Sequence, residues 1–586
     1  MLAKKKKDNT KDKILDTARK RFLKLSTEQA ENRKRAVENK NFVYNIDDAQ
    51  WTKDEKDKRI SQKRPYLTHN KLRKFVAQVA NRERDQRISQ KVIPVDDKAD
   101  PFIADTIGGY IHSIEYQSDA DIIYAKAGEQ ALSGGFGGFM RILTKFTEDS
   151  FDQEIFIEHI ENEFCVYLDP KENYGFIREA MTKEDFESQF PDKDFRDFGE
   201  TGEGEEYELW YEDEKIFVAE YFYKEKVEST IAQIISEDDI DGQPETVELT
   251  EEHTPELLMS NGYKILKTRK VKKDAVRWCK ITGNDILEGF EDGKVRDWAG
   301  NDIPIIEVEG DKVNIAGKTY KRALIEDAKD PCRLYNFSIT AIAERASLVP
   351  KAPYIVTAEM IKNYEPMWKA SNEENLSHLI VNQTIMGFPH RQDPPLVDQG
   401  LIMMTNLGDK DIQDTVGMFD SSFGERSNER TGKAINARTA RSDMGIYHFP
   451  DNLHRAIKKL EKQLIYLIPK IIDTNRMLRI RDYEGKEVIT EVNKSILDPN
   501  TGKTVIINDL SVGKYDLESG LKTWSTRREE ATEGFLESMQ YAPAIAPILA
   551  KHYFKNADFP DAGEIAEEID AFLQSQQQTK TNQGGM

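Results

Sequence analysis

The sequence YKILKTRKVKKDAVRWCKI, residues 263–281, begins a run of short strands that decides the fold prediction. IPIIEVEG and KVNIAGKTYKR follow it, and turn residues such as Asp292-Gly293-Lys294 separate the segments. The run ends near Tyr320 and predicts a small β-rich unit. A helical pattern at 330–348 follows and stops before Pro350-Lys351-Ala352-Pro353, because proline cannot continue a helix.

On the N-terminal side of this unit, the pattern is first helical and then extended. Apolar residues at helical spacing predict helices at 12–38, 70–87 and 105–132. Strands are predicted at 139–146, 154–159, 164–168, 206–216 and 217–226. Lys4 to Lys7 predict a flexible basic arm, and 236–254 predicts an acidic loop.

On the C-terminal side, the pattern returns to helices. A helix is predicted at 358–375, a loop-rich stretch at 388–428 and one long helix at 431–472, kinked at Pro450. Strands are predicted at 476–514, helices at 525–573 and a disordered tail at 574–586. The order predicts an α+β protein with segregated elements and no internal repeat.

Composition limits the classes of protein that fit. A chain of 586 residues is too long for one compact core, and its formal net charge of -21 argues against a tight, sequence-reading DNA-binding protein. No apolar stretch is long enough to cross a bilayer, and no apolar segment follows the N-terminal lysines as a secretory signal would. Three widely spaced cysteines argue against a disulfide framework and fit a reducing cytoplasm.

The sequence offers no support for enzyme chemistry. Two Gly-Lys-Thr triplets, at 317–319 and 502–504, have Lys312 and Leu497 where a phosphate-binding loop needs its first glycine. Both triplets lie between predicted strands, where a hairpin turn explains them. No Gly-x-Ser-x-Gly or His-Glu-x-x-His motif occurs. We therefore predict no catalytic residue, metal site or cofactor.

Several segments, in this order, resemble the portal proteins of short-tailed, podovirus-type phages. Each string is short, and their order and spacing across residues 40–540 carry the resemblance. The strings are Arg64-Pro65-Tyr66 with Asn70-Lys71-Leu72, the glycine-rich turn at 134–140, Asp152-Gln153-Glu154-Ile155, Asp169-Pro170, Asp330-Pro331-Cys332-Arg333-Leu334-Tyr335-Asn336 with 350–353, Gly424 with Thr431-Gly432-Lys433-Ala434-Ile435 and Asp451-Asn452-Leu453, Gly513-Lys514-Tyr515-Asp516, and Thr526-Arg527-Arg528-Glu529-Glu530.

The resemblance implies a dodecameric ring at one capsid vertex, which serves as the conduit for packaging and ejection of double-stranded DNA. The implied partners are the terminase large subunit, tail adaptor proteins and the major capsid and scaffolding proteins, with no membrane. The implied location is the virion, after assembly in the host cytoplasm. Another oligomeric head–tail adaptor or virion scaffold protein is the alternative, and a nucleotide-driven enzyme is a third hypothesis without a phosphate-binding loop to support it.

The portal-protein fold implied by the resemblance has an α/β wing, a helical stem, a small β-rich clip, a long kinked helix and a helical crown. The predicted boundaries are an N-terminal arm and helix at 1–39, wing at 40–254 and 351–515, stem helices at 255–270 and 326–350, clip at 271–325, channel loop at 401–430, kinked helix at 431–472, crown at 516–573 and tail at 574–586.

Two sets of site residues follow from these boundaries. The candidates for contact with DNA in the channel are Arg426, Arg430, Lys433, Arg438 and Arg441, a basic cluster in an acidic chain. They either touch phosphates transiently or pair with carboxylates between subunits. The candidates for docking of terminase or adaptors on the clip are Asp292, Lys294, Arg296 and Asp302.

Overall fold

The structure is a computed structural model, and it describes most of the chain from residue 2 to residue 556. The described residues are 2–85, 90–147, 151–193, 195, 209–212, 215–236, 244–249, 254–260, 262–348, 353–371, 374, 376–383, 387–392, 399–418, 443–481, 487–497, 504–518, 524–556, 565 and 568–569.

Helices are distributed along the whole of the described chain. In order they are α1 (Leu2–Tyr44), α2 (Lys53–Ser61), α3 (Leu72–Asp85), α4 (Pro101–Gln117), α5 (Ala120–Gly134), α6 (Lys183–Gln189), α7 (Pro255–Ser260), α8 (Lys329–Leu348), α9 (Ala358–Ile361), α10 (Glu365–Ala370), α11 (Gln399–Val416), α12 (His448–Ile471), α13 (Trp524–Tyr541) and α14 (Ala546–Asn556).

Strands are concentrated between residues 138 and 322 and again between 476 and 518. In order they are β1 (Lys91–Pro94), β2 (Gly138–Phe146), β3 (Gln153–His159), β4 (Val166–Leu168), β5 (Tyr174–Met181), β6 (Tyr211–Glu212), β7 (Lys215–Ser236), β8 (Glu245–Leu249), β9 (Tyr263–Ile281), β10 (Ile286–Glu288), β11 (Phe290–Glu291), β12 (Lys294–Asp297), β13 (Ile305–Val308), β14 (Asp311–Ile315), β15 (Lys318–Arg322), β16 (Tyr354–Ile355), β17 (His390–Arg391), β18 (Arg476–Arg481), β19 (Glu487–Val492), β20 (Lys494–Leu497), β21 (Thr504–Ile507) and β22 (Tyr515–Glu518). The α+β prediction is confirmed.

Helix α1 packs against three separate hydrophobic clusters. Phe22 is buried among Tyr167, Phe176 and Trp210, with ring centroids 4.5 to 5.4 Å away. Further along the helix, Ala36 enters a second cluster, and Phe42 and Val43 enter a third. The helix begins at Leu2, so the predicted flexible arm at Lys4 to Lys7 is wrong: lysine is a good helix former, and no helix breaker interrupts the run.

One sheet joins strands that the sequence analysis had assigned to different parts. Its order is β11-β12-β9-β7-β5-β4, with β10 on β9 and with β6 and β8 on β7. Strand β9 pairs with β7 from Ala219↔Ile281 to Ser236↔Tyr263, with one irregularity at Gln233/Ile234. The separate β-rich unit predicted for 271–325 is therefore wrong in its boundaries, because its first strand continues this sheet.

Three other predictions around this sheet also fail. The stem helix predicted at 255–270 ends at Ser260, because Tyr263 and the residues after it pair with β7. The acidic loop predicted at 236–254 contains β8, whose Val247 and Leu249 pack on a small cluster of Ala232, Ile234 and Leu258. Strand β13, also inside the predicted clip, pairs with β2 from the first part of the chain.

The helix predicted at 105–132 is two helices, α4 and α5. Asp119 between them has a left-handed backbone with φ 51°, so the chain turns there although the apolar spacing continues. Both helices, β2, β3 and α12 surround the largest hydrophobic cluster.

The apolar face predicted for the long C-terminal helix is confirmed, but its N-terminal extent is wrong. Leu453, Leu460, Leu464 and Leu467 are buried in the largest cluster. Helix α12 begins only at His448, so Pro450 lies in its first turn, where a missing backbone N–H costs little. Residues 419–442, which include most of the predicted extension, lie outside the described residues.

Two further segments differ from their predictions. The loop-rich stretch at 388–428 contains the helix α11, whose Ile412 and Val416 are buried, because the prolines and glycines that suggested a loop lie mainly outside 401–416. The helix predicted at 358–375 is instead the two short helices α9 and α10. The strands predicted at 476–514 are present as two hairpins, β18–β19 and β20–β21, and β22 after them pairs with β1. The predicted tail at 574–586 lies outside the described residues.

A carboxyl group is buried inside the largest cluster. Glu461 on α12 is 4% exposed, and its Oε2 has no hydrogen-bond partner. Glu115 on α4 lies close to it and accepts a hydrogen bond of 2.8 Å from Tyr124 on α5. Burial raises the pKa of Glu461 well above its ordinary value, and the charge of Glu115 adds to the shift, against the opposing charge of Lys458.

We predict that Glu461→Gln stabilises the protein increasingly as pH rises. Above the ordinary pKa of a glutamate, the unfolded state loses the proton of Glu461 but the folded state keeps it. The free energy of unfolding therefore falls as pH rises, by about 1.4 kcal/mol per pH unit, until the pKa of Glu461 in the folded state is reached. Glutamine has no proton to retain. Urea unfolding from acidic to weakly alkaline pH should show divergence between the two proteins, whereas Glu537→Gln at an exposed position should follow the native curve. Parallel curves for Glu461→Gln would contradict the prediction.

Candidate docking and DNA-contact surfaces

Helices α8 and α11 form a hairpin that encloses an insert at 349–398. Tyr335 on α8 lies against Gly408 on α11, where an added Cβ would meet the Tyr335 side chain at 3.4 Å. Glycine thus permits close approach of the two helices. Ile412 and Val416 near the end of α11 share a cluster with Ala328, which comes just before α8, so the helices run antiparallel and the insert is at one end of the hairpin.

A buried polar cluster fixes the hairpin to the N-terminal part of the chain. Gln50 Nε2 donates to Asn70 Oδ1, and Asn336 Nδ2 donates to Gln50 Oε1, each at 3.0 Å. Asn336 Oδ1 accepts from the backbone N–H of His69 at 2.8 Å. Asn336 is fully buried, so every one of these polar groups depends on its partner.

Ion pairs surround this cluster. Arg64 donates to both oxygens of Glu344 at 2.6 and 2.9 Å, and this hydrogen bonding lowers the pKa of Glu344 from its ordinary value. Lys71 pairs with Asp409 on α11, and its Nζ lies 4.5 Å from the ring centroid of Tyr335. Burial alone would lower the pKa of Lys71, but the bonds to Asp409 and Tyr335 outweigh it and raise the pKa.

The strings that carry the family resemblance thus meet in space. The segments at 64–72 and 330–336 join around Gln50, a residue that no sequence pattern had indicated. In another string, Asn452 donates to the carbonyl of Gly310 at 2.9 Å. Gly138 belongs to a third string, and a Cβ there would overlap the carbonyl of Ala127 at 1.8 Å. These strings mark joints between elements.

The insert has little hydrophobic core of its own. Tyr354 pairs with Arg391 across β16 and β17, and Trp368 packs edge-on against Tyr354 at 5.2 Å. Among its described residues only Met360 is a buried apolar side chain. Ile355 is 64% exposed and Phe388 is 83% exposed, so the insert presents apolar surface to a partner.

The docking residues predicted from sequence lie elsewhere, at the edge of the nine-stranded sheet. Asp292 is in the turn between β11 and β12, and Lys294 and Arg296 are exposed on β12, where Arg296 pairs with Glu291 at 3.0 Å. Asp302 is half-buried and pairs with Lys224 at 2.7 Å. None of the four lies in the helical hairpin or its insert, and their docking role stays a prediction.

The predicted DNA-channel residues lie outside the described residues. Arg426, Arg430, Lys433, Arg438 and Arg441 all fall within 419–442. The channel loop predicted at 401–430 is in part wrong, because α11 continues to Val416.

The part of the chain that the structure describes lacks a metal-binding cluster and has two buried thiols. No group of three or more His, Cys, Asp or Glu side chains in it could hold a metal ion. Burial raises the pKa of Cys279 and of Cys332 to about 12, so these thiols stay protonated. None of the helices described has the length and apolar character that a bilayer crossing requires.

The comparisons with known proteins show a phage portal protein, which is a structural component of the virus particle. The model of the family described as Phage P22-like portal protein matches residues 19–585. A portal protein of Acyrthosiphon pisum secondary endosymbiont phage 1 is 23% identical over 504 residues, which cover 82% of this chain and 68% of that protein. The chain belongs to the P22-like portal protein family. Portal proteins form oligomeric rings in virions, in contact with the capsid and DNA.

We predict that Asn336→Ala destabilises the protein by about 2–3 kcal/mol, because it removes the acceptor of the His69 N–H and leaves Gln50 Oε1 with only the weak thiol donor of Cys332 in a buried site. The free energy of unfolding in urea measures the loss. Asn406→Ala, at an exposed position of α11, is the matched control and should change stability by less than about 0.5 kcal/mol. Equal stabilities of the two variants would show that the polar cluster contributes nothing.

Proposed function

We propose that the chain forms a dodecameric ring at one capsid vertex, through which double-stranded DNA is packaged and ejected. Terminase docks on this ring during packaging, and tail adaptor proteins follow. Membership of the portal family supports the ring, and the short-tailed phage type follows from the strings that carry the resemblance. The ring would be assembled in the host cytoplasm and contact the capsid and scaffolding proteins.

The observation that supports this proposal most is the helix–insert–helix order. The resemblance implies a clip enclosed by two stem helices, and the α8–α11 hairpin with its insert has this arrangement. We therefore assign α8 and α11 to the stem and residues 349–398 to the clip. The strands at 263–322 belong to the wing, because β9 and β13 pair with strands of the first part of the chain.

The physics of a conduit fits the charge of the chain. Each phosphate contact made by a cation adds affinity and would retain the DNA, so a channel wall should carry few cations. A net charge of -21 is compatible with sliding. Ring closure needs heterologous contacts, in which two different surfaces of the same chain meet.

We predict that the purified chain forms closed rings with a central hole. Twelve copies of 67.4 kDa give a mass of about 0.8 MDa. Native mass measurement and particle images from the same sample provide the test. A compact dimer without a hole would contradict the proposal and favour an adaptor protein.

We also predict that Ile355→Ser with Phe388→Ser leaves rings intact but abolishes docking of terminase, because these side chains are the exposed apolar anchors of the insert. The yield of DNA-filled heads should fall at least tenfold. Ile315→Ser with Phe151→Ser changes the same residue types at positions 59% and 99% exposed outside the insert and should leave the yield unchanged. Loss of the ring in the insert variant would instead show that the insert contacts the neighbouring subunit.

A further inference from the structure

Strand β9 concentrates positive charge in an acidic chain. Between Tyr263 and Lys273 it contains no carboxylate, although the whole chain has a net charge of -21. The cations are Lys264, Lys267, Arg269, Lys270, Lys272 and Lys273. The extended pattern predicts a strand here, although the predicted stem boundary at 255–270 includes most of the segment.

Two of these cations form ion pairs with described carboxylates, and the other four form none. Lys272 pairs with Glu228 at 3.7 Å, and Lys273 pairs with Glu248. Lys264, Lys267, Arg269 and Lys270 are exposed and form no ion pair within the described ranges. We call these four residues the β9 cation row.

The β9 cation row lies on the outer strand of a three-stranded part of the sheet. Opposite Lys267, Arg269 and Lys270, β7 also pairs on its other side with β8. The other side of β9, from Tyr263 to Ala275, has no strand partner in the part that the structure describes. The cations are therefore accessible along the free edge and on both faces, since successive side chains of a strand point to opposite sides.

The composition of this strand edge fits phosphate better than a protein partner. Lysine is depleted in protein–protein interfaces, which are anchored by aromatic side chains, and β9 has no aromatic residue between Lys264 and Arg277. Lysine along a free edge also disfavours the addition of a strand from another chain. An exposed strand edge with three lysines and an arginine suits the phosphate backbone of duplex DNA.

We propose that the β9 cation row binds the phosphates of duplex DNA without reading its sequence. The proposal rests on the proposed portal function, since the ring must encounter DNA, but it concerns a surface separate from the predicted channel residues at 426–441. Because it lies on the outer edge of the nine-stranded sheet, separate in sequence from the predicted channel segment, this surface is suited to hold DNA beside the ring and need not oppose sliding through the channel.

The test uses the full chain with Lys264, Lys267, Arg269 and Lys270 all changed to Gln. Binding of a short random-sequence duplex is measured by fluorescence anisotropy from about 50 to 200 mM salt. If the four residues contact phosphates, the slope of log affinity against log salt should become shallower by about three to four. The control changes Lys53, Lys58, Arg345 and Lys410 to Gln, which removes the same charge from exposed positions elsewhere and should leave the slope near native.

Three outcomes would overturn the proposal. A native salt slope in the β9 variant would show that the row makes no phosphate contacts. An equal loss in the control would show that only net charge matters. Competition by polyglutamate as effective as that by DNA at equal charge would identify an acidic protein as the partner. A native mass measurement separates failure of this proposal from failure of the proposed function. The β9 variant should still form rings of native mass. Absence of rings in the native chain would contradict the portal function itself.

Discussion

The packing of helix α1 against three hydrophobic clusters is the constraint on which the rest of the structure depends. Its 43 residues span about 65 Å, enough to pass from the sheet around Phe22 to the base of the α8–α11 hairpin near Val43. Midway, Arg33 donates to the Phe164 carbonyl at 2.7 Å and lies 3.7 Å from the ring centroid of Tyr167. Burial lowers the pKa of Arg33 to about 10. Helix α1 thus fixes the nine-stranded sheet and the α8–α11 hairpin relative to each other.

Local periodicity predicted the helices and strands whose pattern is complete within their own residues. It failed for elements whose place in the fold depends on pairing with residues distant in sequence. The α12 face from Leu453 to Leu467 and the helix at 329–348 were predicted because their apolar spacing is self-contained. The extended pattern at 263–281 predicted a strand, but the predicted boundaries placed its first part in a stem helix and its second part in the clip, because nothing in these residues shows that their partner is β7. The α11 helix was hidden by surrounding prolines and glycines. Of the candidate site, family strings indicated Asn336, whereas Gln50 has no sequence signal.

The insert between α8 and α11 differs in character from the segment at 271–325. The segment at 271–325 has a packed β core, with Ile305 and Ile306 buried. The described part of the insert at 349–398 buries only one apolar side chain, Met360, and exposes Phe388. Exposed apolar side chains with little core of their own are typical of surfaces that are completed by a partner, which supports the proposed assignment of the insert to the clip. The polar cluster positions α8, from which the insert extends, against Gln50 and Asn70.

The distribution of charge allows contacts that hold DNA to lie apart from the channel through which DNA passes. A ring that conducts DNA needs weak contacts in its channel, yet it works in a particle filled with polyanion. In this chain carboxylates outnumber cations, 105 to 84, and ion pairs neutralise many of the described cations, as with Lys272 and Lys273. The β9 cation row differs because its four exposed cations lie close together on one strand and form no ion pair within the described ranges. At the joint of α8 with the N-terminal part of the chain, by contrast, Arg64 and Lys71 are neutralised by Glu344 and Asp409. The cations that we propose to hold DNA are therefore those of β9, separate in sequence from the predicted channel residues, where holding DNA need not obstruct its passage.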